Sequence, residues 1–222
     1  LPILLFAYGL ALTTEDIYDN SYALIIGINT YAKASNLDYA VEDATSIATL
    51  LIDKFNFPSK NVKVLLNDEA TFTNIRNSLA EISSSANEND RVLIYFAGHG
   101  QTMDLPDGGE MGYLIPVDGN QNNLYASAIP MNDLSDLSYM SKAKHMLFLV
   151  DACYGGLAAV GTRGLDAKTT PNYIEKITTI KSRQIITAGG KTEKVIGKPE
   201  WGHSAFTMNL LRALGDGLAD AN

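Results

Sequence analysis

The chain has 222 residues, 46% of them hydrophobic and 19% charged, a balance typical of one globular domain that excludes a disordered tail, a collagen and a coiled coil. Because 25 acidic residues outnumber 17 basic ones, the net charge is −8, which argues against a nucleic-acid partner and fits a cationic substrate better. A single cysteine cannot form an internal disulfide and is instead a candidate nucleophile.

The first dozen residues, LPILLFAYGLAL, are apolar but too short to span a bilayer. They fit either the remnant of a signal peptide or a buried N-terminal strand, so both a cytoplasmic and an exported location stay open. Residues 1–20 are therefore treated as an N-terminal extension. At the other end, a helical pattern stops without a closing element, which indicates a piece of a longer protein.

Strands and helices alternate along the rest of the chain. In chain order the predicted elements are strand 22–28, helix 37–54, strand 62–66, a helix capped by Thr73 that continues to 82, strand 92–96, a loop or hairpin over 101–130, a helix capped by Asn132 or Ser135 that continues to 144, strand 146–150, a weakly periodic mobile loop over 155–182, strand 184–187 and helix 204–214. Strands that are apolar on both faces and separated by helices predict an α/β fold with a mostly parallel sheet flanked by helices.

Two reactive side chains follow predicted strands, and glycines flank both. The third strand leads into Gly98-His99-Gly100, and the fourth leads into Asp151-Ala-Cys153-Tyr-Gly-Gly. Ligands of parallel sheets bind beyond the carboxyl ends of the strands, so both segments are candidates for one site. A lone cysteine is more often a small buried hydrophobe. The 54-residue separation, however, fits a Cys–His peptidase signature with the histidine about 50 residues upstream.

The chain resembles the caspase-like (clan CD, peptidase C14) cysteine peptidase domains of the metacaspase and bacterial caspase-homologue type. The segments that carry the resemblance are ALIIGIN, YFAGHG, DACYGG and the region from SRQIITAGG to GHSAFTMNLLRAL. The resemblance implies a three-layer caspase-like fold and a peptidase domain over residues 21–222. Within it, residues 21–156 would be large-subunit-like, 157–182 a linker-like loop, and 183–222 a truncated small-subunit-like part.

The same resemblance implies a cysteine endopeptidase that uses a Cys–His dyad. Cys153 would attack the scissile carbonyl and form an acyl-enzyme, and His99 would serve as general acid and then general base. The backbone amides of Gly100 and Cys153 would hold the oxyanion, and a backbone carbonyl would orient the histidine. His203 is a rival base, but its place at a loop-to-helix junction favours a capping or structural role. His145 begins a predicted strand and is given a structural role.

Two acidic residues bear on specificity. Because residues two apart in a strand face the same side, Asp151 is expected on the side of Cys153. The resemblance maps Asp43 onto the second acidic wall of the S1 pocket, and Ala97 onto a pocket position where metacaspases often have serine. Two carboxylates would select Arg or Lys at P1, the substrate residue before the cleaved bond. The alternatives are that Asp43 only complements a helix N-terminus and that Asp151 only ends a strand.

No cofactor or metal is expected. Calcium-dependent metacaspases bind the ion through a cluster of aspartates, and at the matching positions this chain has Met111, Asn132, Asp133 and Val160. One carboxylate is a poor ligand set for a cation that takes six to eight oxygens. The chain is therefore expected to act without calcium at that position.

The expected partner is a peptide or protein substrate, and the domain is expected to be a monomer. Arg163 and Lys168, in the linker-like loop, are candidate autocleavage sites; the alternative is a charged loop that stays intact. Two other functions remain open: a catalytically weak caspase-like interaction module and a nucleotide-binding α/β protein. The presence of both Cys153 and His99 argues against the first. The segment after the first strand lacks a phosphate-binding glycine pattern, which argues against the second.

Overall fold

Five parallel strands form the central sheet in a computed structural model of the chain, which describes residues 13–152, 178–189 and 196–218. The strands in the described ranges are β1 (Ser21–Gly27), β2 (Val62–Leu66), β3 (Arg91–Ala97), β4 (Gly100–Asp104), β5 (Glu110–Leu114), β6 (Ile129–Pro130), β7 (His145–Asp151), β8 (Ser182–Thr187), β9 (Gly197–Lys198) and β10 (His203–Ser204). The central sheet has the order β2-β1-β3-β7-β8. Strands β4, β5 and β6 form a small antiparallel sheet, and β9 pairs with β10.

Helices cover both faces of the central sheet. They are α1 (Thr14–Ile17), α2 (Ala40–Phe55), α3 (Phe72–Ser85), α4 (Leu124–Ser127), α5 (Met131–Met140) and α6 (Ala205–Leu210), with short helical turns at Ser59–Asn61, Asn67–Glu69 and Leu211–Gly215. Helices α2 and α6 pack on one face, and α3 and α5 on the other. The α/β prediction of a parallel sheet between helical layers is therefore confirmed. Within the described ranges, no helix has both the length and the apolar character to cross a bilayer.

The alternation of residues along each strand explains why the strands are apolar throughout. In β1, Ala23 and Ile25 lie in the core on the α2 side, whereas Leu24 and Ile26 lie in the core on the α3 side. Successive strand residues point to opposite faces, and both faces are covered here. A half-exposed strand would instead alternate apolar and polar residues.

Several predicted element ends were wrong. The cap of α3 is Thr71, whose side chain accepts a hydrogen bond from the backbone N–H of Asn74 at 3.1 Å, and Thr73 lies inside the helix. Helix α5 begins after Pro130, so Asn132 and Ser135 are interior positions, and it ends at Met140 rather than at residue 144. The N-cap residue is Pro130, which has no side-chain acceptor and forms no side-chain cap hydrogen bond. Of the two alternatives predicted for 101–130, a loop or a hairpin, the structure has the hairpin, which β4 and β5 form.

A close approach between β1 and α2 sets the position of the first helical turn. A Cβ atom on Gly27 would lie 2.4 Å from the carbonyl oxygen of Ala40 and 2.6 Å from the Cβ of Ala44. Glycine is therefore required at the end of β1 if α2 is to lie this close to the sheet. The consequence is that Asp43, in the first turn of α2, reaches the edge of the sheet.

Candidate active site

Three strand ends meet at one edge of the sheet. Gly27 pairs with Ala97, and Ala97 pairs with Asp151, so the last residues of β1, β3 and β7 lie side by side. Paired residues of parallel strands point to the same face, and Ala97 lies in the core cluster under α2. The side chains of Ala97 and Asp151 therefore face the same helix that carries Asp43.

His99 follows β3 by two residues and is held by its ring and its backbone. Its Nε2 lies 2.8 Å from the carbonyl oxygen of Ser35 and 3.4 Å from the hydroxyl of the same residue. Its backbone N–H donates to the hydroxyl of Tyr31 at 2.8 Å, and the two rings lie 4.7 Å apart. Because a carbonyl only accepts, Nε2 carries a hydrogen, which leaves Nδ1 of the neutral ring free to accept a proton.

The residue before the histidine must be small. A Cβ on Gly98 would lie 2.5 Å from the hydroxyl of Tyr31 and 3.0 Å from the ring of Phe96. Beyond the histidine the chain enters β4 at once: Gly100 pairs with Leu114, and the carbonyl of His99 accepts a hydrogen bond from the next residue of that segment, Ile115. The histidine thus lies in a short, tightly held connection between two strands.

Two buried carboxylates form the acidic part of the site. Asp43 is 1% exposed and Asp151 is 3% exposed. Asp43 accepts hydrogen bonds from Nδ1 of His203 at 2.7 Å and from the backbone N–H of Ser204 at 3.2 Å. Oδ2 of Asp151 accepts from the hydroxyls of Ser204 and Thr207, the latter at 2.7 Å. Ser204 therefore connects the two acids, because its backbone binds one and its side chain binds the other.

One oxygen of this pair is left without a donor. Oδ1 of Asp151 is buried, and no group in the described part of the chain forms a hydrogen bond with it. A buried acceptor without a donor costs free energy, and the cost is larger when the acceptor is charged. Such an oxygen is suited to receive a donor from a bound molecule.

Burial raises the pKa of both acids. The pKa of Asp43 rises from 3.8 to about 6, because its burial and the nearby charge of Asp151 outweigh the hydrogen bond from His203. Burial also raises the pKa of Asp151, against the hydrogen bonds from Ser204 and Thr207 that lower it. Two like charges that lie close in a buried site disfavour joint ionisation. The charge of the site therefore depends on pH in the mildly acidic range.

The structure brings some of the predicted site residues together and leaves others undescribed. Asp43, Ala97 and Asp151 share one face at the edge where His99 and Gly100 follow β3. The following predicted residues lie outside the described residues: Cys153, Val160, Arg163 and Lys168. The dyad and the oxyanion site therefore stay predictions. Asp133, the one carboxylate among the positions compared with the calcium ligands of metacaspases, forms an ion pair with Arg76 at 2.9 Å.

The sequence analysis considered His203 as a rival base and favoured a capping or structural role for it, and it did not consider Ser204, Thr207 or Tyr95 for this site. The helix cap is Ser204, which accepts from the backbone N–H of Thr207 at 3.0 Å, so of the two roles expected of His203 the capping role belongs to its neighbour. Tyr95 could have been found, because it lies two residues before Ala97 and hence on the same face. For His203 no local signal exists, because its partner lies 160 positions away.

Comparison with protein families gives one match over almost the whole chain. The family model described as the caspase domain, peptidase C14, matches residues 20–218. Metacaspase-7 of Arabidopsis thaliana is 27% identical over 173 residues, which is 72% of this chain and 41% of that protein. Metacaspase-1 of Eremothecium gossypii is 28% identical over 152 residues, 63% of this chain and 32% of that protein.

A shorter match to another metacaspase and a likeness to one solved structure are consistent with the family match. Metacaspase-1B of Aspergillus clavatus is 32% identical over 106 residues, 43% of this chain and 26% of that protein. This chain thus spans less than half the length of these relatives. A crystal structure of a protein from Geobacter sulfurreducens superposes with a TM-score of 0.64 at 18% identity and covers 90% of this chain and 83% of the other. That likeness shows a shared fold.

Proposed function

This chain belongs to the caspase-domain family, peptidase C14, and we propose on that basis that it is a cysteine endopeptidase that cleaves peptide bonds after Arg or Lys. The family supports the peptidase activity. The preference for a basic P1 residue is supported by one observation: two buried carboxylates, Asp43 and Asp151, lie together at the strand ends, and one buried oxygen has no donor among the described residues.

The proposed chemistry divides between two residues. The thiolate of Cys153 attacks the scissile carbonyl, and the leaving amine takes a proton from His99 as the acyl-enzyme forms. Water then attacks the acyl-enzyme and gives a proton to the same imidazole, the bond between the acyl carbon and sulfur breaks, and the acid product leaves with the thiolate and the protonated histidine restored. The contact between Nε2 of His99 and the carbonyl of Ser35 supports this role, because it directs Nδ1 away from the carbonyl. Backbone amides of Gly100 and Cys153 are the proposed oxyanion donors.

The acidic pair would recognise the P1 side chain by charge and by hydrogen bonding. A guanidinium or ammonium group would donate to Oδ1 of Asp151 and neutralise part of the charge that it shares with Asp43. A P1 aspartate would instead bring a further negative charge beside a site that already holds a buried carboxylate. At a separation of about 4 Å and an effective dielectric constant near 20, that repulsion is about 4 kcal/mol.

The alternative role of Asp43, complementing the amino end of α2, does not explain its contacts. Its carboxylate binds His203 and Ser204, both from the β9–β10 hairpin region, and not the amides of its own helix. A side chain that served only the helix dipole has no need of burial beside a second acid. The contacts support a role in the site rather than in the helix.

Cleavage of fluorogenic peptides with Arg, Lys or Asp at P1 tests the proposal. We expect hydrolysis of the Arg and Lys peptides, none above background for Asp, and complete loss in Cys153→Ala. Activity that persists in Cys153→Ala would refute the nucleophile. Equal cleavage after Arg and Asp would refute the basic preference and leave the peptidase assignment standing.

We further propose that the linker-like loop over 157–182, between the parts at 21–156 and 183–222, is a substrate of the enzyme itself. Arg163 and Lys168 are the proposed sites, and both follow from the basic P1 preference. After prolonged incubation of the wild type, intact mass should show two fragments whose masses correspond to a cut after one of these residues. Cys153→Ala, the control, should stay whole. A wild-type chain that stays whole would contradict autocleavage.

A further inference from the structure

His203 has no part in the proposed chemistry, yet it makes the shortest contact to Asp43 that the structure describes. Its Nδ1 lies 2.7 Å from the carboxylate, and its side chain is 22% exposed whereas that of Asp43 is 2% exposed. When Asp43 is ionised its carboxylate can only accept, so the proton of this contact then lies on Nδ1 of the imidazole. In that state the partly exposed imidazole binds the buried carboxylate as a hydrogen-bond donor.

The β9–β10 hairpin holds the imidazole in this place. His203 pairs with Lys198, and Ser204 pairs with Gly197. A Cβ on Gly197 would lie 2.4 Å from the ring of Tyr39, the residue that precedes α2, so the hairpin packs directly against the start of that helix. The position of His203 over Asp43 is thus fixed by backbone packing rather than by a flexible side chain alone.

Within the described residues, the groups around Asp43 come from three elements besides its own. Strand β7 contributes Asp151, strand β3 contributes Tyr95, and the hairpin contributes His203 and the backbone of Ser204. Of these described groups, the imidazole alone can carry a positive charge. Burial raises the pKa of Tyr95 well above its ordinary value, so the phenol stays neutral. The ammonium of Lys198, on the same hairpin, lies 4.8 Å from the ring centre of Trp201.

We propose that His203 is a positioning residue that keeps Asp43 ionised and oriented to receive a basic P1 side chain. The inference rests on the proposed function, in which Asp43 and Asp151 bind that side chain. Two neighbouring buried carboxylates tend to share a proton, and a pair that has taken up a proton binds a cation weakly. The Nδ1–H donor lowers the free energy of the ionised form and leaves Oδ1 of Asp151 for the substrate.

A structural role alone would predict something different. Ser204 already caps α6, and the hairpin is held by backbone pairing, so the imidazole is needed neither to start the helix nor to form the strands. Loss of a merely structural contact would lower stability at all pH values alike. Loss of a positioning contact would raise KM for a basic substrate, and it would do so most at low pH.

Steady-state kinetics of the 222-residue chain with an Arg peptide, from pH 5.5 to pH 9, test the inference. We expect His203→Ala to raise KM about tenfold near pH 6, with a smaller effect on kcat, and to approach the wild type near pH 9. The reason is that Asp43 without its donor ionises only at higher pH. The rate of alkylation of Cys153 by neutral iodoacetamide, which needs no P1 contact, should change little.

Two further variants distinguish the effect of the Nδ1–H hydrogen-bond donor from the effect of the volume of the imidazole ring. His203→Asn places an amide donor near the position of Nδ1 and should restore most of the affinity, whereas His203→Leu keeps bulk without a donor and should behave like His203→Ala. If His203→Ala does not fold, His203→Leu takes its place. The control is His145→Asn, because His145 contacts Tyr18 and Ile180 and not Asp43. Its pH profile should match the wild type.

The outcomes separate this inference from the function on which it rests. If the wild type prefers Arg but His203→Ala keeps its KM and pH profile, or gains affinity, the inference is overturned and the proposed function stands. If His203→Asn is no better than His203→Leu, the donor is not what matters and the inference is also overturned. If the wild type cleaves after Arg no better than after Asp, the proposed function fails first, and the inference fails with it.

Discussion

The two faces of the central sheet differ in polarity near the carboxyl ends of β3 and β7, although neighbouring residues of the same strands form them. On the α3 side, the residues near the ends of β3 and β7 are apolar and buried: Ile94, Phe96, Phe148 and Val150. On the α2 side, residues one position away include Tyr95, Ala97 and Asp151, and they meet buried carboxylate and hydroxyl groups. A shift of one residue along a strand thus separates an apolar core from a charged site.

The comparison shows that the α3 side of the sheet stabilises the fold, whereas the buried acids on the α2 side lower its stability. The α3 side buries apolar surface, which contributes about 25 cal/mol per Å². The α2 side buries two acids whose pKa values are raised by burial, and one oxygen of Asp151 has no donor within the described residues. A buried charge without a full set of donors is unfavourable. Substitutions on the two faces should therefore change different measured quantities.

The largest effect should come from removing a charge on the α2 side. We expect Asp151→Asn to lower kcat/KM for an Arg peptide by about 100-fold or more, because one partner of a desolvated charge pair is lost. The midpoint of thermal unfolding should stay equal to or above that of the wild type, because a buried charge is removed. A fall in stability with unchanged kcat/KM would reverse the proposed division between the faces.

The matching change on the α3 side should do the opposite. Ile94→Ala truncates a buried side chain, because Ile94 is 3% exposed. The free energy of unfolding of the variant should be about 2–5 kcal/mol lower than that of the wild type. Activity per folded molecule should stay within about twofold of the wild type. Urea unfolding together with kinetics at 15 °C measures both quantities. A large loss of kcat/KM in folded protein would show that the two faces are coupled.

The pKa of Asp43, raised by burial to about 6, should give stability and substrate binding opposite pH dependences. The folded state binds the proton of this carboxyl more tightly than the unfolded chain does. Its contribution to the free energy of unfolding therefore falls as pH rises from about 4 to about 6. Over the same range ionisation supplies the charge that binds a basic P1 residue, so KM should fall.

Asp43→Asn is the matched variant for this prediction. It should remove the contribution of Asp43 to the pH dependence of the free energy of unfolding and to the pH dependence of KM. Urea unfolding and KM for an Arg peptide, each measured at intervals from pH 4.5 to pH 7.5, give the two dependences. A wild-type KM that is constant across this range would contradict the role of Asp43 in binding the substrate charge. A stability profile identical in wild type and variant would contradict the raised pKa.

The smallest effect should come from a single hydroxyl. The hydroxyl of Tyr95 lies 2.6 Å from that of Thr207 and 3.5 Å from Asp151. Tyr95→Phe should lower the free energy of unfolding by about 1 kcal/mol and raise KM for an Arg peptide a few-fold. The control is Tyr113→Phe, since Tyr113 is equally buried but its hydroxyl contacts the sulfur of Met111. Equal KM values for the two variants would contradict the prediction.

Local pattern was enough to predict the fold class and part of the site. Continuous apolar runs identified β1, β3 and β7 to within one residue at each end, because both faces of the sheet are covered. The position of Asp151 beside Ala97 follows from parallel pairing once both lie at strand ends. The cap of α3 was misplaced because Thr71 and Thr73 are chemically equivalent, and only the path of the chain selects one of them.

By itself the sequence determined the alternation of buried strands and helices, the edge at which chemistry is expected, and the presence of Asp151 at that edge. These features depend on neighbours along the chain, where periodicity and residue type carry the information, whereas Asp43 was named only through the resemblance to the family. Only the tertiary structure decided that Asp43 is bound by His203 and that Ser204 connects Asp43 to Asp151. Those contacts join residues from 53 to 161 positions apart, and they form because packing of α2, β7 and the β9–β10 hairpin at one sheet edge leaves each buried carboxylate in need of donors.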